Sequence, residues 1–173
     1  MCSSDLRLDA DVLYHRSPAT DALLGMEPGP IGDYLFLPGR MERMKRQDLV
    51  IEAMRHVRSD VRLVIAGSGP DEVRLRSLAE ERGVAERVSF EIRVPDERLH
   101  DLYRGALAVP YGPYDEDYGY VTLEAFAARR PVITTTDAGG PLEFVDDGVT
   151  GLVTPPDPAA LAEALDRSEE NTS

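Results

Sequence analysis

From Tyr34 onward, short apolar runs of strand length alternate with longer stretches whose apolar residues recur at helical spacing, and that alternation leaves few folds open. Tyr34-Leu35-Phe36-Leu37 ends in Pro38-Gly39, and Leu49, Ile51, Ala53, Met54 and Val57 follow with a helical period. Val61 to Ala66 ends in Gly67-Ser68-Gly69-Pro70 and gives way to a predicted helix over 71–82, with Val73, Leu75 and Leu78 inward. Pro70 suits its first turn and Gly83 its stop. Further strands are expected over 87–90, 106–109, 132–135 and, at an edge, 151–153. The intervening helices fall over 95–104, from Val121, briefly through Val145, and from Pro158 to Leu165. Strands without a polar face, separated by helices, predict an α/β fold: a Rossmann-like parallel sheet with helices on both faces.

In such a sheet, ligands bind in the crevice beyond the carboxyl ends of the strands. The loops 39–45, 67–70, 111–119 and 137–140 all follow a strand and so converge at that edge. They hold most of the chemistry this chain can offer. Glu116 and Glu124 stand eight positions apart with Gly119 between them, a carboxylate in a loop followed by a helix start and a carboxylate within the helix. Gly119 frees the backbone so that the first-turn amides of Val121, Thr122 and Leu123 can face an anion. Amides for a diphosphate and carboxylates for hydroxyls suit a nucleotide sugar.

The charge balance sharpens that reading. With 19 basic against 32 acidic residues, the formal charge is -13, which opposes contact with nucleic acid and anionic lipid. An acidic protein that binds a diphosphate must gather its cations locally, and Arg40, Arg43, Lys45 and Arg46 do so; Lys45 is the only lysine. No apolar run reaches the length of a membrane span. Cys2 is the sole cysteine, which excludes an internal disulfide and a thiol-based metal site and reads as a reducing compartment.

Taken together, the Glu116/Glu124 pair resembles the Glu-x7-Glu signature of retaining family 4 glycosyltransferases, and Gly39-Arg40-Met41 with Lys45 resembles their Gly-Arg-Leu…Lys-Gly segment. The resemblance runs from about Tyr34 to Leu165. It implies one half of a GT-B two-domain architecture: a donor-binding domain for a nucleotide-diphosphate sugar, transferred to an acceptor hydroxyl with retention. By that resemblance Glu116 lies beside the donor sugar, Glu124 binds the ribose, and Arg40 and Lys45 hold the diphosphate in place of a metal ion, so no cofactor is expected. Gly67 and Gly69 allow close backbone approach at the site. The stretch Phe90 to Val94 resembles the segment that meets the nucleobase, and Gly139 to Glu143 resembles a further stretch near the donor. Arg46, Ile92 and Arg129 stand where the family commonly has glycine, and Arg130 where it has lysine.

Other readings stay open at this stage. A nucleotide-sugar epimerase of similar fold, or a non-enzymatic Rossmann-type nucleotide-binding module, would share much of the pattern. The acidic run Asp115-Glu116-Asp117 suggests a divalent cation only weakly, because no second ligand cluster accompanies it. His15, His56 and His100 read as surface residues. The expected organisation is a connector over 1–33, a nucleotide-sugar-binding domain over 34–166 and a tail over 167–173. Both ends, Cys2 to Leu6 and Arg167 to Ser173, resemble translated sequencing-adapter DNA. An amino-terminal acceptor domain is expected as the missing partner, and the location as cytoplasmic or peripheral at the inner membrane through that domain.

Overall fold

The computed structural model describes residues 16–170; Cys2, His15 and the extreme carboxyl end lie outside them. Six strands form: β1 (Tyr34–Pro38), β2 (Arg62–Ala66), β3 (Val88–Glu91), β4 (Val109–Pro110), β5 (Val132–Thr135) and β6 (Gly151–Thr154). Six helices accompany them: α1 (Pro18–Leu24), α2 (Gln47–Ala53), α3 (Glu72–Glu81), α4 (Asp96–Gly105), α5 (Tyr120–Ala127) and α6 (Pro158–Glu170). β1, β2 and β3 make one parallel ladder and β4, β5 and β6 another. A parallel bridge from Leu35 to Ala108 joins them, with Phe36 N–H donating to Ala108 O at 3.0 Å and Leu107 N–H to Tyr34 O at 2.8 Å. The spatial order is β3-β2-β1-β4-β5-β6, so the chain winds outward in two directions from the β1/β4 seam, above which a crevice opens.

The expected α/β fold is therefore present, and strand periodicity explains its two layers of helix. Leu35, Leu37, Leu63 and Ile65 pack with α2, α3 and α6 residues such as Ile51, Leu75 and Leu165. Phe36, Val64 and Ala66, one step out of phase, pack with α1, α4 and α5 residues such as Leu23, Leu102 and Ala125. Successive residues of a strand face opposite sides, so one apolar run serves both cores.

Three expectations need correction. Residues 16–33 contain α1, a core element rather than a bare connector: Leu23 is 1% exposed, and the helix is capped by Ser17, whose side chain accepts from Thr20 N–H. At the other end α6 runs unbroken past Asp166 to Glu170, and Ser168 is buried, so the expected limit at 166 falls inside a helix, whereas that at 33 falls in the loop before β1. In α3, Val73 is 77% exposed while Leu75 and Ala79 are buried. Two residues on a helix turn the side chain about 200°, which puts Val73 opposite Leu75.

Candidate functional site

At the carboxyl edge of the sheet the loops are stitched to one another by backbone. Gly39 N–H donates to Ala66 O at 2.9 Å, Met41 N–H to Ser68 O at 3.1 Å and Gly67 N–H to Glu91 O at 3.0 Å. Across the seam, Tyr114 N–H donates to Met44 O at 2.8 Å, and between the loops after β4 and β5 Glu116 N–H donates to Ala138 O at 2.9 Å. Such approach needs bare backbone. Gly67 has φ +145, and a Cβ there would sit 2.0 Å from Gly39 O; Gly139, at φ +76, would place one 2.6 Å from Glu116 O. Gly69 makes the same close approach, to Met41 O, where a Cβ would sit 2.2 Å away.

Glu116 meets the single lysine. Lys45 Nζ pairs with Glu116 Oε2, and the Tyr111 hydroxyl donates to the same oxygen at 3.2 Å. Burial, with Glu116 beside it, pushes the Tyr111 phenol far up, so it stays a neutral donor. The side chains of Lys45 and Glu116 are 21% and 22% exposed, and a pair so placed leaves a costly charge when either member is removed. Next to it Arg46 grips Asp137 with two bonds from Nη1, at 2.9 and 3.0 Å. Burial raises the Asp137 carboxyl, but the hydrogen bonds and charge of Arg46 lead the influences that outweigh it and hold the group below its ordinary value.

Glu124 is held differently, by two neutral hydroxyls. Ser17 donates to Oε1 at 2.7 Å and Tyr103 donates to Oε2 at 2.7 Å. Burial, then the Glu124 charge, keeps the Tyr103 phenol well above its usual range. Glu124 forms part of the wall of a cleft of about 300 Å³ together with Gly39, Gly67, Ser68, Arg93 and Val121. Val94 and Leu99 give it an apolar side. Gly119, at φ 77, is the residue from which α5 starts, and Val121 brings the first turn of that helix to the cleft.

Some expected site residues are placed elsewhere. Arg40 turns aside: its Nε pairs with Glu42 at 3.2 Å and its side chain is 68% exposed, the nearest carboxylate having captured a solvated cation. Thr122 N–H donates to Gly119 O at 2.9 Å within the first turn, and neither Thr122 nor Leu123 is among the cleft walls. His100, expected at the surface, is buried on α4. Among the described residues, no group of three or more His, Cys, Asp or Glu side chains is arranged to hold a metal ion, and no helix is long and apolar enough to cross a membrane.

The positions where glycine was expected have a backbone reason. Arg46, at φ 53, and Arg129, at φ 60, are left-handed, a conformation that costs a side-chain-bearing residue about 1–2 kcal/mol. Near the cleft the left-handed residue is Arg93, at φ 53, one position beyond Ile92. Arg130 is buried and donates to the Gly29 and Arg104 carbonyls, locking α1's loop to the core. Sequence reasoning did not find Ser17, Tyr103 or Tyr111. Each lies on a different element from its carboxylate or carries no charge, so no local pattern announces it.

Comparison with known proteins places the fold and the family. The family model described as glycosyl transferases group 1 matches residues 32–173. A D-inositol 3-phosphate glycosyltransferase of Xylanimonas cellulosilytica is 37% identical over 142 residues, covering 79% of this chain and 34% of that protein. The alpha-1,3/1,6-mannosyltransferase ALG2 of Homo sapiens is 29% identical, covering 92% of this chain and 44% of that one. The crystal structure of Anabaena Alr3699/HepE in complex with UDP matches with a TM-score of 0.75 at 26% identity, over 82% of this chain and 40% of that chain. This chain thus spans less than half the length of these relatives.

Proposed function

Because the chain belongs to the glycosyl transferases group 1 family, we propose that it is the donor-binding half of a GT-B glycosyltransferase, taking a nucleotide-diphosphate sugar and passing the sugar to an acceptor hydroxyl with retention. The epimerase and binding-module readings lose ground to that membership. The observation that carries the proposal is Tyr111: its hydroxyl meets the Lys45–Glu116 pair, and its phenol feels the charge of Glu124, which walls the cleft together with the first turn of α5. The nucleoside occupies the cleft, with its ribose hydroxyls on Glu124 and its base along Val94 and Leu99. The diphosphate lies toward Lys45 and the amide end of α5, and the sugar toward Glu116.

In the transfer, the bond from the anomeric carbon to the diphosphate oxygen breaks and its electron pair stays on the diphosphate. The acceptor oxygen bonds to the anomeric carbon on the same face, and its proton goes to the departing phosphate oxygen. Lys45 and the α5 amides stabilise the charge that grows on the diphosphate, so the proposed reaction calls on no metal ion or cofactor. Arg40 joins them by leaving Glu42, since an exposed pair of that kind is worth only about 0–1 kcal/mol. Glu116 orients the donor sugar. The acceptor site belongs to an amino-terminal partner domain, and the enzyme is cytoplasmic or held at the inner membrane through it.

Calorimetric titration with UDP and UDP-sugars, UDP being the nucleotide seen in Alr3699/HepE, and with the guanosine and adenosine equivalents tests the reading. We expect binding that Lys45→Ala and Glu124→Ala weaken. Absence of heat with every nucleotide contradicts it.

A further inference from the structure

We infer that Ser17 and Tyr103 are positioning residues that set the Glu124 carboxylate for two adjacent hydroxyls, and thereby make the cleft choose ribose over deoxyribose. The inference rests on the donor-binding reading above and adds to it two residues outside the motifs that led there. A glutamate on an open helix face samples several rotamers, whereas a vicinal diol needs both carboxylate oxygens in one plane and one place. Here each oxygen has its own hydroxyl: Ser17 on Oε1 and Tyr103 on Oε2, each at 2.7 Å. A carboxylate has about four acceptor positions. Two are filled by the protein, and two remain for a diol with two donors.

Both hydroxyls are themselves fixed. The Tyr103 ring is 0% exposed and stands edge-on to Phe36 of β1, with centroids 4.9 Å apart and planes at 85°, so its hydroxyl has little lateral freedom. Its phenol stays protonated because burial and the neighbouring Glu124 both oppose ionisation. Ser17 is the cap of α1: its oxygen accepts from Thr20 N–H at 3.1 Å, which leaves its own proton to be directed at Glu124. Three elements, α1, α4 and α5, therefore meet at one carboxylate. Neither neighbour is charged, so the full charge of Glu124 remains available to the ligand hydroxyls.

The test is isothermal titration of the chain with UDP against 2′-deoxy-UDP, and with the guanosine and adenosine pairs. Wild type is expected to favour the ribonucleotide about tenfold, the strength of one hydrogen bond to a charged group. Tyr103→Phe and Ser17→Ala should each cut that preference to about threefold, and Ser17→Thr should restore it. Equal weakening of both sugars with the preference intact means a packing role only and overturns the inference. Tighter binding by Ser17→Ala shows the serine competing for the carboxylate and overturns it as well. Glu124→Gln separates the two levels: if it leaves the preference unchanged, the donor reading of Glu124 fails. If it abolishes the preference while the Ser17 and Tyr103 variants do not, the positioning role alone fails. Absence of heat with every pair overturns both.

Discussion

Glu116 and Glu124 are the same side chain eight positions apart, yet the fold treats them in opposite ways. Glu116 faces a cation, Lys45, from the loop after β1; Glu124 faces two neutral hydroxyls from α1 and α4. The first arrangement is an exchangeable pair. On the proposed reading, a phosphate draws Lys45 away and leaves Glu116 to the sugar. The second is a fixed cradle, whose donors orient a carboxylate without cancelling its charge. One end of the proposed site is tuned for charge and the other for geometry.

That contrast is open to direct attack. The largest effect is expected from Lys45→Ala, which should weaken UDP binding about 30-fold, in line with losing hydrogen bonds to a charged group, and weaken uridine much less; calorimetry on the two ligands separates them. Glu124→Gln should cost about tenfold by the same scale, whereas Glu116→Gln should leave UDP affinity unchanged or slightly improved, because it frees Lys45. Equal losses in both glutamine variants would erase the distinction between the two ends. Ionic strength gives a smaller, sharper reading. Raising salt from about 0.05 to 0.5 M screens the charged end, so wild-type affinity should fall several-fold, Lys45→Ala should flatten the dependence, and Glu124→Gln should leave its slope alone.

The smallest effect concerns the neighbour of the charged end. Asp137 is held below its ordinary carboxylate value in the fold. A lowered folded value stabilises above the unfolded value near 3.9 and is lost as pH falls through the folded one. Asp137→Asn should therefore be less stable than wild type at neutral pH, and the gap should close below about pH 4 in denaturant melts. A gap that persists at pH 2 would assign the effect to packing, not charge.

Much of this was legible in the residues. The strands announced themselves because a run such as Val61 to Ala66 must be covered on both sides, and the burial of β2 follows that demand. Lys45 and Glu116 were brought together by the rule that strand-end loops converge. What stayed hidden shared one feature: dependence on orientation. Val73 counts as apolar in any periodicity, yet lies on the outer face of α3. Arg40 sits in the expected loop and turns to Glu42. Pro18 made the α1 region look like a connector, although a proline in the first helical turn is what starts that helix.

The sequence by itself determined the α/β order of elements, the edge at which ligands gather and the identity of the charged groups there, because hydrophobic period and backbone freedom are local properties of a chain. Only the tertiary structure decided which hydroxyls hold Glu124 and which way Arg40 turns. Ser17 lies 107 positions from Glu124, and a contact between two short polar side chains leaves no trace in either one's neighbours until packing brings α1, α4 and α5 within hydrogen-bond reach.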